Sequence, residues 1–311
     1  MRSTITRRQT PLLTRILHQW DLQILVIPSI LFILVFSYVP MYGIIMAFQE
    51  FRLGDFPGAS QWVGFKQFLS LFKDPNFGRV LRNTVVISLL KMAINFPIPI
   101  IFAVFVNELR VERFKRIAQT ISYLPHFISW VVLAGIITNF LSMNDGLIND
   151  LVVAMGGEKI NFLGSSDWFR TVIVGTNIWK EAGWGTVIYL ASLSAISPEY
   201  YEAATVDGAN RFQRIRHITL PGIAGTIVIL LVLQIGGLMN NGFEQIYLFQ
   251  NDLNLSVSDV FETYTYKIGI SGGQYSYSTA VGLFKNVVGM ILIFTSNYAA
   301  RRMGHATLYS S

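Results

Sequence analysis

The residues of this chain that could do chemistry are polar groups set into long apolar runs. Lys91, Asn95, Asn177, Lys180, Glu181, Asn240 and Asn241, with Lys285 and Asn286, fall within or at the edges of such runs. A charge inside a bilayer costs about 2.5–3.5 kcal/mol on insertion scales unless it is paired or hydrated. Two readings stand level for each residue: it lines a path for a polar solute, or it ties helices together. Lys180 and Glu181 are adjacent, so on a helix they point about 100° apart and do not face each other. One of them can line a path while the other pairs with a neighbouring span. No catalytic set accompanies these groups. No Lys is followed by Ser or Thr, so no Walker A phosphate loop exists, and no HExxH pattern occurs. His18, His126, His217 and His305 are scattered without metal-ligand spacing, and the chain has no cysteine. The expectation is a transport or binding protein with no bound metal and no cofactor of its own. An ion-driven secondary transporter is the alternative from another class. It would call for an intramembrane relay and inverted repeats, and Glu181 alone stands as an acid within a span.

A second polar stretch, Ser197 to Pro221, reads SPEYYEAATVDGANRFQRIRHITLP between two apolar runs. Ser197 suits an N-cap, Pro198 the first helical position, and Glu199 and Glu202 the positive end of a helix dipole. The helix continues over Tyr200 to Val206, where small Ala203 and Ala204 allow close approach. Gly208 ends it, because glycine takes a left-handed C-terminal conformation without steric cost. A second short helix is predicted from Asn210 to Ile218, with Arg211, Arg214 and Arg216 on one face and Phe212, Ile215 and Ile218 on another. Leu220-Pro221 is expected to end it. Such a pair makes a rigid knob; an amphipathic connector lying on lipid headgroups is the plainer reading of the shape.

The elements that must hold these groups are membrane helices. Of 311 residues, 52% are hydrophobic and 14% charged, against about 25% charged in a soluble domain. Six spans are predicted: Leu22 to Gln49, Asn83 to Asn107, one within Ile117 to Asn144, Trp168 to Ile196, Pro221 to Gly242, and Thr279 to Ala300. The first is too long for a cleaved signal peptide and is read as retained, kinked by Pro28 and Pro40; Pro97 and Pro99 are expected to disrupt the second. An interfacial helix is predicted around Phe65 to Phe72. The division is a basic tail at 1–21, a first span and outer loop at 22–80, and a core from 81 to 311 that carries the 197–221 loop. The net charge of +6 is modest and suits anionic lipid headgroups rather than nucleic acid. Arg2, Arg7, Arg8 and Arg15, the turn with Arg110, Arg113, Lys115 and Arg116, and Arg301-Arg302 place both termini in the cytoplasm by the positive-inside rule. The first outer loop runs against that rule, and Arg79 and Arg82 are expected to snorkel there. The loop after the fifth span carries Tyr247, Phe249, Phe261, Tyr264, Tyr266, Tyr275 and Tyr277. These rings suit a membrane-interface belt first and sugar faces second.

Glu202-Ala203-Ala204, Asp207-Gly208-Ala209, Ile218 and Leu220-Pro221 resemble the EAA loop of binding-protein-dependent ABC importer permeases. Gly225 departs from that pattern, where many members carry a proline. Trp20 to Phe48, Tyr123-Leu124-Pro125, and Trp184 to Ile196 running into Ser197-Pro198 look like the carbohydrate branch of that family. The resemblance implies an all-α integral membrane protein with six transmembrane helices in the type I ABC importer permease fold. It makes Glu199, Glu202, Ala203, Ala204, Asp207, Gly208, Ala209, Leu220 and Pro221 the loop that couples to an ATPase. It further implies a second homologous permease, two ATPase subunits that hold ATP and Mg, and an extracytoplasmic solute-binding protein. For that protein the aromatic loop after the fifth span has a third reading, as a docking element. The expected setting is a bacterial cell membrane, and the expected cargo is an oligosaccharide released from plant or algal polysaccharide. An amino acid, phosphonate or polyamine remains an alternative, since EAA loops serve those solutes too.

Overall fold

The computed structural model describes residues 19–304, so most of the predicted basic tail lies outside the described residues. Helices account for the architecture; among the described residues the extended pairing is one isolated bridge, Gln49 with Trp62. The elements follow in chain order as α1 (Leu22–Phe48), α2 (Lys66–Lys73), α3 (Phe77–Asn107), α4 (Glu112–Phe127), α5 (Trp130–Leu141), α6 (Leu147–Ala154) and α7 (Ser166–Ser194). Then come α8 (Pro198–Val206), α9 (Arg211–Gly222), α10 (Ala224–Gly236), α11 (Phe243–Phe249), α12 (Leu255–Ser258), α13 (Phe261–Thr265) and α14 (Tyr275–Arg302).

Helices α1, α3 and α14 are long and apolar enough to cross a bilayer, and two bent pairs qualify if each is taken as one crossing. Helix α1 exposes its apolar side chains on all sides, and only its Tyr42–Phe48 end packs on α14 and α2. Such a surface is stable in hydrocarbon or against another apolar chain, not in water. Pro28 lies inside the helix without ending it, and a wide π turn at Leu34–Tyr38 precedes Pro40. That turn accommodates a residue with no N–H to give. Pro97 and Pro99 likewise do not interrupt α3: Phe96 keeps helical angles (φ −70°, ψ −44°), and Pro97 opens the next turn where its fixed φ fits.

The third predicted span is corrected more deeply. It is two helices, α4 and α5, bent by 101°. Pro125 lies in a tightened turn, Leu124–Phe127, and Ser129 is extended (φ −63°, ψ 151°) with its Oγ accepting the Val132 N–H at 3.3 Å. A proline and a serine cap therefore end one helix and start another. A second correction concerns Leu220-Pro221, which does not end α9. A π turn at Ile215–Thr219 carries the helix past the proline, and the break comes at Ile223, where α9 and α10 meet at 59°.

Helix α7 packs along α3 and α4, and α14 packs along α10. At Gly183 an added Cβ would collide with the Ser122 carbonyl, so α7 and α4 touch backbone to backbone. The segment 243–271 folds back onto α3 and α7 rather than standing off as a loop. Asn83 Nδ2 donates to the Ser256 and Asp259 carbonyls at 3.0 and 3.1 Å, and the Phe261 N–H reaches Thr84 Oγ1 at 3.1 Å. Asp259, its side chain 4% exposed, meets Arg79 at 3.2 Å and Lys267 at 3.6 Å, so Arg79 is ion-paired instead of snorkelling. This return explains the loop aromatics: Phe249, Phe261, Tyr264 and Tyr277 are buried core, not an interface belt. Tyr247 and Tyr266 cluster with Phe243 at 5.0–5.3 Å, and Tyr275 meets Phe51 edge-on.

Candidate functional site: a polar cavity and an exposed two-helix knob

Lys91, Asn95, Asn177, Asn240 and Asn241 come from three distant parts of the sequence, yet all line one cavity of about 390 Å³. Ser88 and Gln234 complete its polar wall. Asn241 is the hub. Its Nδ2 donates to the Thr84 carbonyl at 3.1 Å, and its Oδ1 accepts from Ser88 Oγ at 3.0 Å. Its backbone carbonyl accepts from Lys91 Nζ at 2.8 Å, and its N–H donates to Glu262 Oε1 at 3.3 Å. Lys91 also donates to Gln245 Oε1 at 2.7 Å, and the Gln245 amide continues to Ile173 O and Thr176 Oγ1 at 2.8 and 2.9 Å. The network thus joins α3, α7 and the turn after α10. Most buried polar groups in it answer another, as a low-dielectric interior favours, though Glu262 Oε2 is buried without a partner. Asn95 Nδ2 donates to Asn177 Oδ1, and Asn95 Oδ1 is buried without a partner.

Lys180 and Glu181 sit elsewhere. Both reach the break between α4 and α5. Lys180 Nζ donates to the carbonyls of His126 and Ile128 at 2.6 and 2.5 Å, with Pro125 O at 3.5 Å, and lies 5.4 Å from the Trp130 ring centre. A cation there satisfies carbonyls that the broken helix leaves open. Glu181 Oε2 meets His126 Nδ1 at 2.9 Å, and the His126 ring stacks on Trp184 at 4.7 Å. The 100° offset between the two side chains lets one clamp the backbone of the turn and the other its side chain.

Lys285 on α14 pairs with Glu262 at 2.9 Å, the two side chains 20% and 8% exposed. Sequence reasoning placed Glu262 in an outer loop and missed this pair. Ser88, Gln234 and Gln245 were missed as well, since a single Ser or Gln in an apolar run carries no spacing signal. Gly269-Ile270-Ser271-Gly272-Gly273 also has G-x-S-x-G spacing. It follows a helix instead of a strand, and the described histidines bond elsewhere, so it is no nucleophile elbow.

The Ser197–Pro221 segment is built as two short helices. Ser197 Oγ accepts the Glu199 N–H at 3.4 Å, and Gly208 has φ +77°. The Gly208 and Ala209 N–H groups return to Thr205 O and Ala204 O at 3.1 and 2.9 Å, closing the C-terminus of α8. Asn210 and Gln213 form a capping box at 2.9 and 2.7 Å. Arg214 Nη1 donates to Thr205 Oγ1 at 3.0 Å, and Tyr201 OH meets Thr219 Oγ1 at 3.1 Å, so α8 is pinned against α9. Glu199, Glu202, Ala203, Asp207, Gly208, Leu220 and Pro221 are exposed, while Ala204 and Ala209 are half-buried. Phe212, read as part of an apolar face, is 70% exposed, and Val206, which sequence reasoning did not single out, is 88% exposed. A shallow depression of about 290 Å³ lies between the helices, against Ala204, Asp207, Gly208, Arg214 and His217.

A family model described as the binding-protein-dependent transport system inner membrane component matches residues 95–305. Protein LplB of Bacillus subtilis (strain 168) is 49% identical over 290 residues, 93% of this chain and 91% of that one. The polygalacturonan/rhamnogalacturonan transport system permease protein YteP of the same organism is 46% identical over 300 residues, covering 96% and 93%. Among solved structures, a chain of a bacterial alginate ABC transporter, in complex with an alginate pentasaccharide-bound periplasmic protein, is similar at TM-score 0.87 and 38% identity. That likeness covers 96% of this chain and 99% of the other.

Proposed function

Because the chain belongs to the inner membrane components of binding-protein-dependent transport systems, we propose that it forms the solute path together with a second, homologous permease. It is a transport permease and not an enzyme. One relative is a polygalacturonan/rhamnogalacturonan permease and one structural neighbour an alginate transporter, so the cargo proposed here is an oligosaccharide released from a polysaccharide. One observation carries the reading: amides and a lysine from three separate elements converge on one cavity of the helical bundle. Amides offer donors and acceptors at once, which is what hydroxyl-rich rings require.

Six crossings complete the proposal: α1, α3, the α4–α5 pair, α7, the α9–α10 pair and α14. At about 1.5 Å per residue, the 29 residues of α7 exceed the ~30 Å of hydrocarbon. Both termini then lie in the cytoplasm of a bacterial cell. The 197–221 knob lies on that side too, where two separate ATPase subunits bind ATP and Mg. Glu199, Glu202, Ala203, Ala204, Asp207, Gly208, Ala209, Leu220 and Pro221 make the contact, and Val206 at the tip is covered by it. A solute-binding protein delivers sugar from the opposite face, and ATP-driven closure of the ATPases is passed through the pinned α8–α9 pair to the spans. Gentle detergent purification of the tagged chain from its host, with mass spectrometry, tests the assembly. A second permease and an ATPase are expected to co-purify, and a lone chain that transports without ATP would overturn the proposal.

A further inference from the structure

Two lysines lie within the helical body, Lys91 on the cavity wall and Lys180 at the α4–α5 break, and they are satisfied differently. The Lys180 side chain is turned into a backbone turn, 6% exposed, and its ammonium is surrounded by three carbonyls and an indole face. Lys91 is half-buried on the cavity wall with two oxygen partners, both neutral: the Asn241 carbonyl and the Gln245 amide. An ammonium has three N–H donors, so one remains for a further acceptor. Among the described residues no carboxylate lies within ion-pairing distance of Lys91. Glu262 pairs with Lys285 and Glu181 with His126, and both reach Lys91 electrostatically without an ion pair. The rest of the cavity wall is uncharged: Ser88, Asn95, Asn177, Gln234, Asn240 and Asn241. The cavity wall therefore carries one positive charge and no carboxylate.

We infer that Lys91 is the residue by which this cavity distinguishes solutes by charge, and that the favoured cargo bears a carboxylate, as an oligosaccharide of uronic acids does. The inference rests on the import reading above. A neutral sugar needs only donors and acceptors, which the amides supply. A lysine with no ion pair of its own carries the cost of its charge in a low-dielectric setting. A carboxylate removes that cost and gains a charge-assisted hydrogen bond.

The test is direct binding to the purified transporter complex, without its binding protein, so that only the membrane cavity is read. The probes are trigalacturonate and its methyl ester, which match in length and differ in charge. The intact complex is expected to prefer the acid by about tenfold or more, the scale of one hydrogen bond to a charged group. In Lys91→Gln, which keeps an N–H donor but not the charge, the acid-to-ester ratio is expected to fall close to one, and in Lys91→Arg to be retained. Equal binding of both probes by the intact complex would overturn the charge inference and leave oligosaccharide import standing. A parallel loss of both in Lys91→Gln would make Lys91 structural and overturn it too. Binding of neither probe, with no ATP-driven uptake of any oligosaccharide, would overturn the import reading itself.

Discussion

The knob at 197–221 and the cavity around Asn241 are both polar interruptions of an apolar chain, and they are assembled by opposite means. Every bond that shapes the knob spans a short stretch: a serine cap, a glycine turn, a capping box, and two cross-links between neighbouring helices. The bonds of the cavity join residues some 150 positions apart, such as Lys91 with Asn241 and Gln245. A locally encoded element can stand exposed and keep its shape, which suits a surface that another protein must grip. A cavity assembled from separate helices changes shape when those helices move, which suits a site that must open to alternate sides.

The sharpest way to break this contrast is Gly208→Val. An added Cβ at Gly208 would meet no atom within 4 Å, so the cost lies in the backbone angle of +77° alone. Uptake in a reconstituted transporter is expected to fall to background while the chain still inserts and still carries its cavity. Undiminished uptake would show that the knob's shape does not carry the coupling. Next comes Lys180→Met, which strips the donor from the carbonyls at the α4–α5 break; an unsatisfied buried acceptor costs about 1–3 kcal/mol. The thermal midpoint of the purified complex is expected to drop by about 5 °C or more. A midpoint unmoved by the change would mean that the break stands without its clamp. The smallest effect belongs to Asp74, between α2 and α3. Burial works against its ionisation, but hydrogen bonds from Tyr264, the Asn76 N–H and Tyr277 outweigh that and hold the carboxyl below its ordinary 3.8. A carboxyl lowered in the folded state contributes stability above its ordinary value, and that stability is lost as pH falls through the lowered one. Asp74→Asn is therefore expected to flatten the loss of thermal midpoint between pH 6 and pH 3, and an unchanged slope would remove Asp74 from the account.

How legible each region was follows from the same contrast. Ser197 and Gly208 act on their own neighbours, so their roles could be read before any fold was known; the Asn210–Gln213 capping box is as local but was not read. The breaks were half legible. Pro125 and Ser129 are stop and start signals, yet Pro97, Pro99 and Pro221 are prolines too and end nothing. A π turn or a fitting N1 position absorbs them, and only packing selects among those outcomes. The buried aromatics of residues 243–278 were misread because a loop that folds back presents the same letters as one at an interface.

Sequence alone determined the membrane class, the helical character, the knob with its caps and glycine, and which polar residues were too costly to leave without purpose. Those features follow from local sterics and from the price of polar groups in hydrocarbon, neither of which needs a partner to be known. Tertiary structure alone decided that five of those residues share one cavity while Lys180 and Glu181 clamp a broken helix. A hydrogen bond has a range of about 3 Å, and nothing in a linear chain says which distant helix will come that close.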